Sequence, residues 1–440
     1  MARYARNHRL LACLALLAWL QAGCAARPAA SPSVPRTTTV SEQLEPRWVE
    51  PGEIPADVSQ VGAFDALDRP PTLADKTSPR YRALAEEDTQ CVAAAHAPAA
   101  NLLESQRRSL AKNCVGQRPN CGDALRGEAL ALAAQDERNR AAGAALKAHF
   151  LLMEAHAGQA TLEDNVKVLD YLLAGAAELK SQGMRPDAIE PGSLNRQRLE
   201  LLDKRSQLDL SVAQLNAQLR ERLGIPPDQT DPFWPEADLT VVAVPIDLDL
   251  AIHEGLSGRA DLAMLELLAR KLSSDSLSAA DAVLSAVNPA LAASAPKVTF
   301  ASLLFPCRSG QCEATTRRRQ LRDLHAERKL QVEREIRLAV QTIGIRMEQV
   351  ALAKEQVLAW NERVMQIQSQ QDAAGGAKRF ELGAAKLSQQ KAESDLMHQV
   401  IAWKLAQLDL RQAQGKLARE CPSANCLPKK LSPLILSPAP

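Results

Sequence analysis

Cysteines are the residues of this 440-residue chain whose spacing indicates chemistry most directly, and there are nine of them. Three close pairs each enclose a turn-like stretch: Cys114 with Cys121, Cys307 with Cys312, and Cys421 with Cys426. Such pairs predict local disulfides in an oxidising compartment. A zinc site is the alternative, although two Cys-x4-Cys pairs without a nearby histidine match zinc spacing poorly. Cys91 is left without an obvious partner.

Other side chains give little indication of catalysis or nucleic-acid binding. Seven histidines are scattered along the chain, and no P-loop, HExxH or Ser/His/Asp pattern is present. His149 and His156 lie seven residues apart on one helix face, where packed or solvated positions are the simpler interpretation. The net charge is only +1 and both signs are interspersed. We therefore expect no enzyme, no catalytic residue, no metal, no cofactor and no nucleic-acid partner.

The N-terminus predicts export. An apolar run from Leu10 to Leu20 is too short to span a bilayer, and three arginines precede it: Arg3, Arg6 and Arg9. Residues 1–23 are therefore predicted to be a signal peptide. The Ala-Gly-Cys ending resembles a lipoprotein processing site with Cys24 as the lipidated first residue. Because Gln21 replaces the usual leucine, ordinary cleavage after Ala25 remains the alternative.

Two segments lack any periodic pattern. Residues 24–80 are rich in Pro, Ser, Thr and Ala and are predicted to be a lipidated tether. Residues 421–440 form an irregular C-terminal tail. The residue after Cys24 is Ala25 rather than Asp, which resembles lipoproteins sorted to the outer membrane. The predicted localisation is therefore the periplasmic face of the outer membrane.

Composition and periodicity predict an all-α-dominated chain. Hydrophobic residues make up 46% of the sequence and aromatic residues only 3%, since Ala and Leu, two strong helix formers, supply most of the apolar share. Apolar residues over 336–367 step by four and three, which indicates a seven-residue period. A glycine-containing break at 372–378 precedes a returning helix from Phe380. Residues 146–179 and 195–223 form a matching pair. We predict two antiparallel coiled-coil hairpins about 50 Å long.

The two hairpins look like a tandem duplication. Four landmarks recur at offsets of 193 or 194 residues: Cys114 with Cys307, Met153 with Met347, Gly183 with Gly376, and Leu223 with Leu417. The first helical-hairpin repeat is predicted over 81–223 and the second over 263–420. Between them, residues 224–262 form a small mixed α/β junction. Its best strand candidate is 239–244, which is rich in valine.

Several ordered motifs resemble the TolC-type outer-membrane efflux proteins. These are the duplicated hairpin, the Leu-Gly-Ile-Pro-Pro junction at 223–227, and Gly-Arg-Ala-Asp-Leu at 258–262. Ala260 stands where that family has a proline. The stretch 96–101 resembles the end of the family's first helix, and 375–382 resembles its tip turn and ascending helix. The resemblance covers roughly residues 81 to 420.

The resemblance implies a homotrimer in which each chain gives four helical strands to a twelve-helix periplasmic tube. The hairpin turns would dock a periplasmic adaptor protein joined to an inner-membrane pump. The docking residues implied are Gly183, Met184, Arg185, Gly375, Gly376, Ala377 and Lys378. Glycine at such turns permits positive φ and close approach, although an ordinary hairpin loop is the alternative. Glu381 would line the pore entrance, or else simply stabilise a helix N-terminus.

The sequence departs from the family where its members insert membrane strands. Residues 102–125 show no strand pattern, and only 297–305 offers a candidate in the second half. We therefore predict a transmembrane β-barrel that is reduced or absent. The implied function is a conduit component of a tripartite efflux or type I secretion system. The alternative is a structural coiled-coil envelope lipoprotein without transport activity.

Overall fold

The structure is a computed structural model, which describes residues 81–113, 121–181, 191–226, 228–229, 231–243, 245–287, 309–374 and 378–421. The predicted signal peptide, tether and Cys24 lie outside these residues. The C-terminal tail beyond Cys421 and the strand candidate at 297–305 lie outside them as well.

Most of the described chain is helical, and it also contains two short strands. In chain order the elements are β1 (Arg82–Ala85), α1 (Glu86–His96), α2 (Pro98–Asn113), α3 (Cys121–Ser181), α4 (Pro191–Leu223), β2 (Phe233–Glu236), α5 (Leu248–Gly258), α6 (Ala260–Lys271), a 3-10 turn (Ser274–Ser276), α7 (Leu277–Val287), α8 (Ser309–Ala374), α9 (Arg379–Ala413) and α10 (Leu417–Glu420). Within the part of 102–125 that the structure describes, the backbone is helical. No described helix has the length and hydropathy that a membrane span requires.

Two tandem helical hairpins dominate the fold, as the sequence predicts. The returning helices α4 and α9 contain 33 and 35 residues, which is close to the expected length of about 50 Å. The outgoing helices are longer than predicted. The helix expected from Leu146 begins at Cys121 and contains 61 residues, and α8 contains 66. The Ala- and Leu-rich sequence after Cys121 contains no proline, so the helix continues through it.

The four long helices pack as a layer in the order α4–α3–α9–α8. Helix α3 packs against both α4 and α9, and α9 also packs against α8. Ile343, Val350 and Trp403 fill the interface of α8 with α9, while Leu152 and Leu219 fill that of α3 with α4. Toward the hairpin turns, α4 and α8 are therefore the two edges of the layer.

Both repeats end in the same helix cap. Gly224 and Gly415 have φ of 66° and 70°, and the amide after each glycine donates to the carbonyl five positions earlier, at 2.9 and 3.0 Å. This is a Schellman cap, which needs a left-handed residue that glycine adopts readily. If the two caps are aligned, Leu223 corresponds to Gln414. The sequence landmarks had instead matched Leu223 to Leu417, three residues later. The same type of cap therefore ends the returning helix of both hairpins, at an offset of 191 residues, and the tandem duplication stays a prediction.

The junction contains a strand at a different place from the one predicted. Strand β2 pairs in parallel with β1, Phe233 being opposite Arg82, whereas the described residues of 237–243 form no strand. Val241 lies buried in the cluster that α8 and α9 form. The Phe233 amide also donates to the Asn216 side chain at 2.7 Å. The prediction of 239–244 was wrong because strand formation depends on an available partner, and β1 lies beside Phe233.

A buried charge network fixes the turn between α5 and α6 to the second hairpin. Arg259 contacts Asp261 at 2.8 Å and Glu335 at 2.9 Å, and Arg328 bridges the same two carboxylates at 2.9 and 3.2 Å. Burial alone would raise the pKa of Asp261, but its bonds to both arginines outweigh burial and lower it. The Gly-Arg-Ala-Asp-Leu motif therefore acts as a structural clamp on α8.

The disulfides differ from those predicted. Cys91 in α1 is bonded to Cys421, with their Cα atoms 5.2 Å apart and 330 residues between them. The predicted Cys421–Cys426 bond is therefore wrong. The predicted Cys307–Cys312 bond is also wrong, because Cys312 is a free, exposed thiol. Cys114, Cys307 and Cys426 lie outside the described residues, and of Cys121 only the helical backbone is described.

The position of α10 against α1 explains the Cys91–Cys421 bond. The Gln90 side chain donates to the Leu417 carbonyl at 2.8 Å, and Arg411 bridges Glu86 and Glu420 at 3.2 and 2.7 Å. These contacts bring the start of the first repeat to the end of the second. The short sequence spacing of Cys421 and Cys426 could not reveal such a distant partner.

Peptide mapping without reduction is expected to recover a linked Cys91–Cys421 pair. Because the bond closes a loop of 330 residues, Cys91→Ser should lower the free energy of unfolding by up to about 5 kcal/mol. Denaturant unfolding followed by circular dichroism measures this loss, and Cys312→Ser is the matched control that should unfold like the parent. A Cys421–Cys426 peptide would contradict the fold of the C-terminus.

Candidate functional site

The two hairpin turns lie where the sequence predicts the docking tips. Helix α3 ends at Ser181 and α4 begins at Pro191, while α8 ends at Ala374 and α9 begins at Arg379. The tip residues Gly183, Met184, Arg185, Gly375, Gly376 and Ala377 lie outside the described residues. Lys378 is described, and its ammonium group contacts the Gln370 side chain across the turn.

Glu381 lies in the first turn of α9, where its negative charge stabilises the N-terminal end of the helix dipole. It is exposed, and its carboxylate accepts a bond of 2.7 Å from Arg363 on α8. The negative charge is therefore paired within its own hairpin. This contact agrees with the helix-stabilising alternative, and a pore-entrance role for Glu381 stays a prediction.

Arg379 connects the second hairpin to the first near the tips. Its guanidinium lies 3.8 Å from the centre of the Tyr171 ring on α3. It also donates to the Tyr171 carbonyl at 3.1 Å and pairs with Glu178 at 3.3 Å. A Cβ at Gly175 would lie only 2.8 Å from this guanidinium. A larger residue at position 175 would collide with the guanidinium, so the glycine allows Arg379 to pack closely against α3.

Apolar packing reinforces this connection. Leu169 and Leu172 of α3 form a cluster with Leu194 of α4, and Phe380 and Leu387 of α9 pack against it. Arg379 belongs to the 375–382 motif, but the motif does not indicate which residue it contacts. The available signal for this contact was the rarity of aromatic residues, because Tyr171 is one of only three tyrosines in the sequence.

Helix α8 carries a second apolar stripe that faces away from the protein. Leu338, Ile345 and Leu352 repeat every seven residues and are 66%, 56% and 60% exposed. The stripe that packs against α9 contains the buried residues Ile336, Ile343 and Val350. Each exposed residue lies two positions after one of these buried residues. Two positions turn a helix by about 200°, so the two stripes lie on opposite faces.

Exposed large apolar residues concentrate on the two edge helices. Helix α8 contributes Leu330, Leu338, Ile345, Leu352, Leu358, Trp360 and Met365, and α4 contributes Leu199 and Leu210. Outside these helices, the exposed large apolar residues of the described chain are Leu102, Tyr171, Val242 and Leu250. Contiguous apolar surface on a soluble face indicates an interaction surface. We call the stripe of Leu338, Ile345 and Leu352 the α8 seam.

A cavity of about 1050 Å³ lies among the four long helices and β2. Leu208, Leu358 and Met397 contribute apolar walls, and Trp234 of β2 lines it as well. His398 of α9 contacts Glu154 of α3 at 2.5 Å beside it, which links the two hairpins a second time. Among the described residues, no group of three or more His, Cys, Asp or Glu side chains is arranged to hold a metal.

The two histidines of α3 lie against the junction, and His156 also lines the cavity. His156 lies 3.3 Å from the Phe233 carbonyl and 5.1 Å from the Trp234 ring centre, and burial lowers its pKa. His149 is buried beside Thr89 at 3.0 Å. Burial lowers the pKa of His149 to about 4, and the backbone of Glu236 opposes this only in part. Packing therefore accounts for both residues.

Acid is expected to destabilise the junction through His149. Its folded pKa of about 4 lies below the usual value of 6.5, so neutral His149 stabilises the fold above pH 6.5 and that stability falls as the pH drops toward 4. The loss approaches about 3 kcal/mol near pH 4.5. Urea unfolding between pH 7.5 and 4.5 should show a smaller acid loss for His149→Leu. The exposed control His253→Leu should keep the parent's pH dependence, and equal profiles for both variants would contradict the assignment.

Removing the Arg379 contact is expected to loosen the tips alone. Arg379→Ala removes a stacked cation and two hydrogen bonds, which together contribute about 1 kcal/mol at a partly exposed site. Amide hydrogen exchange in the tip-proximal parts of α3 and α9 should accelerate by about fivefold, while α5 and α6 stay unchanged. Arg196→Ala, on the exposed face of α4, is the control. Unchanged exchange at the tips would show that Arg379 does not couple the hairpins.

Comparison with known proteins supports the architecture at the level of the fold. No protein-family profile and no curated protein matches the sequence. Among solved structures, the outer-membrane channel OprN is 15% identical with a TM-score of 0.52, over 67% of this chain and 70% of that chain. A membrane protein from Pseudomonas aeruginosa is 13% identical with a TM-score of 0.51, over 67% and 72%.

The CmeC outer-membrane channel of Campylobacter jejuni is 11% identical with a TM-score of 0.50, and the match covers 67% of this chain and 66% of that chain. Identities this low show a common fold and nothing finer. The resemblance seen in the sequence is confirmed in that sense: this chain has the fold of the TolC-type outer-membrane channels.

Proposed function

We propose that this chain is one subunit of a trimeric helical tube, the periplasmic conduit of a tripartite efflux or type I secretion system. One observation carries the proposal: the four long helices form an open layer whose apolar surface remains exposed on its two edge helices. A layer with two unsatisfied edges is stabilised by neighbouring copies of itself. The TolC-type fold supports three copies and a tube of twelve helices.

The two edges differ, which favours a ring over a simple two-fold dimer. The α8 edge offers a regular stripe of branched and long apolar side chains, and the α4 edge offers Leu199 and Leu210. Contact of α8 in one copy with α4 in the next is heterologous, and such contacts close into rings when the rotation permits. A seven-residue seam also suits coiled-coil packing between copies.

The tips are the proposed docking surface for a periplasmic adaptor protein that is joined to an inner-membrane pump. Gly183, Met184 and Arg185 would form one part of this surface, and the Gly375–Lys378 turn the other. The Arg379 contact supports this arrangement, because it holds the ends of the two hairpins beside each other. We also propose the periplasmic face of the outer membrane as the location, with lipidated Cys24 as the anchor.

Polar substitution of the α8 seam is expected to dissociate the tube. The triple variant Leu338→Gln, Ile345→Gln, Leu352→Gln removes exposed apolar surface only, so its helical content should match the parent. Light scattering after detergent extraction should give about three times the chain mass of 47.6 kDa for the parent and one chain mass for the variant. Trimerisation should survive the control triple Leu102→Gln, Val242→Gln, Leu250→Gln, which changes exposed apolar residues away from the edges.

The state of the parent protein decides between the two functions. A parent protein that is monomeric or dimeric would refute the tube and favour the structural coiled-coil lipoprotein. Trimers that persist in the seam variant would place the subunit contact elsewhere.

A further inference from the structure

We propose that the end of the protein opposite the hairpin tips binds an anionic phospholipid surface through four arginines. They are Arg108 of α2, Arg126 of α3, and Arg319 and Arg322 of α8, and we call them the arginine end. The inference depends on the proposed function in one respect, which is the identity of the membrane surface. That surface is the inner leaflet of the outer membrane.

Buried contacts place the four arginines at one end of the molecule. Leu125 of α3 and Leu321 of α8 belong to the same buried cluster, with α6 and α7 packed around them. The neighbouring residues Arg126 and Arg322 therefore lie at the same level. A Cβ at Gly127 would lie 4.0 Å from the side chain of Arg107, which brings α2 to that level as well. From here α3 and α8 each run about 80 Å toward the tips.

Charge is distributed unevenly at this end. Residues 104–113, 121–128 and 309–323 contain eight basic and five acidic residues, whereas the whole chain has 53 basic and 52 acidic ones. Three of the basic residues have protein partners. Arg107 pairs with Glu104 at 2.9 Å, Arg317 with Asp281 at 3.2 Å, and Arg318 donates to a backbone carbonyl at 2.8 Å.

The members of the arginine end are exposed and form no ion pair with any described residue. Of the acidic residues nearby in sequence, Glu104 pairs with Arg107 at 2.9 Å and Glu128 with Lys271 at 2.8 Å. The others are Asp123, Glu313 and Asp323. Asp323 is one helical turn from Arg319, yet the two side chains are not bonded. Four guanidinium groups are therefore available to external anions, and a guanidinium binds phosphate oxygens in a bidentate manner.

The surrounding chain favours a lipid surface over a soluble polyanion. Leu102 of α2 is 72% exposed, which adds an apolar side chain to the same helix as Arg108. An exposed apolar side chain beside basic ones is typical of a membrane-interface surface.

The arginine end would contribute to the free energy of membrane binding in addition to the proposed lipid on Cys24. A basic patch adds electrostatic attraction to anionic lipids, in addition to any attachment by a lipid on Cys24. Each arginine near an anionic surface contributes about 1 kcal/mol. Four in one chain would strengthen attachment substantially, and a trimer would present three such sets.

Vesicle sedimentation tests the proposal. The mature chain carrying Cys24→Ser is used, so that no acyl group contributes. We expect it to sediment with vesicles of phosphatidylethanolamine and phosphatidylglycerol but not with vesicles of phosphatidylethanolamine and phosphatidylcholine. Added salt should release it, because screening weakens attraction between exposed charges. Arg108→Gln, Arg126→Gln, Arg319→Gln and Arg322→Gln together should weaken binding by at least about tenfold.

A matched variant controls for total charge. Arg196→Gln, Lys204→Gln, Arg222→Gln and Lys391→Gln remove four exposed positive charges from α4 and α9 and should leave binding unchanged. Equal loss in both variants, or equal binding of the parent to neutral vesicles, would overturn the proposal. The salt dependence and the neutral-vesicle comparison use the parent protein, so they decide the question even if a variant misfolds.

The outcome is separable from that of the proposed function. A monomer that binds anionic vesicles through these arginines would refute the tube and retain the lipid site. A trimer that ignores anionic vesicles would retain the tube and refute the lipid site.

Discussion

Helix α8 has two apolar faces, but its partners in the described chain, α9 together with α5 and α6, leave one of these faces exposed along the α8 seam, and the rest of the architecture depends on this mismatch. Its inner stripe is buried against α9 in the cluster that includes Ile336, Ile343 and Val350. Its outer stripe carries as much apolar character yet remains more than half exposed at Leu338, Ile345 and Leu352. A helix that is apolar on opposite faces belongs between two neighbours. This exposed face is the reason we propose that further copies of the chain complete the layer α4–α3–α9–α8.

The sequence allowed the helical hairpins to be predicted because their signal is local. A seven-residue period and a glycine-containing break specify a hairpin within about 70 residues, and both hairpins were found. The wrong predictions concern pairings between distant segments. Strand β2 forms at Phe233 because β1 lies beside it, and Cys421 bonds Cys91 across 330 residues. Neither partner can be identified by spacing, since contacts at such separation depend on the complete fold.

The candidate site divides in the same way. The turn positions after Ser181 and Ala374 follow from local pattern and agree with the structure. The α8 seam was present in the sequence, two positions after each residue of the inner stripe, but the period alone does not say which stripe is buried. The Arg379 contact was less accessible, because it needs Tyr171 and Gly175 on a helix 200 residues earlier. The arginines at the opposite end needed three helices to be brought together before their charge became a single surface.

The bonds that hold the two repeats together are distributed unevenly along the long helices. Around the junction they include the Cys91–Cys421 disulfide, the bond from Gln90 to the Leu417 carbonyl at 2.8 Å, and the bond from Asn139 to the Gln412 carbonyl at 3.0 Å. Among the described residues nearer the tips, the polar connections between hairpins include His398 with Glu154 and Arg379 with its partners on α3. Local opening begins where the fewest interactions must break. Because no disulfide joins the hairpins among the described residues near the tips, we expect that part of α3 and α9 to open at lower cost than the junction, which the Cys91–Cys421 bond holds.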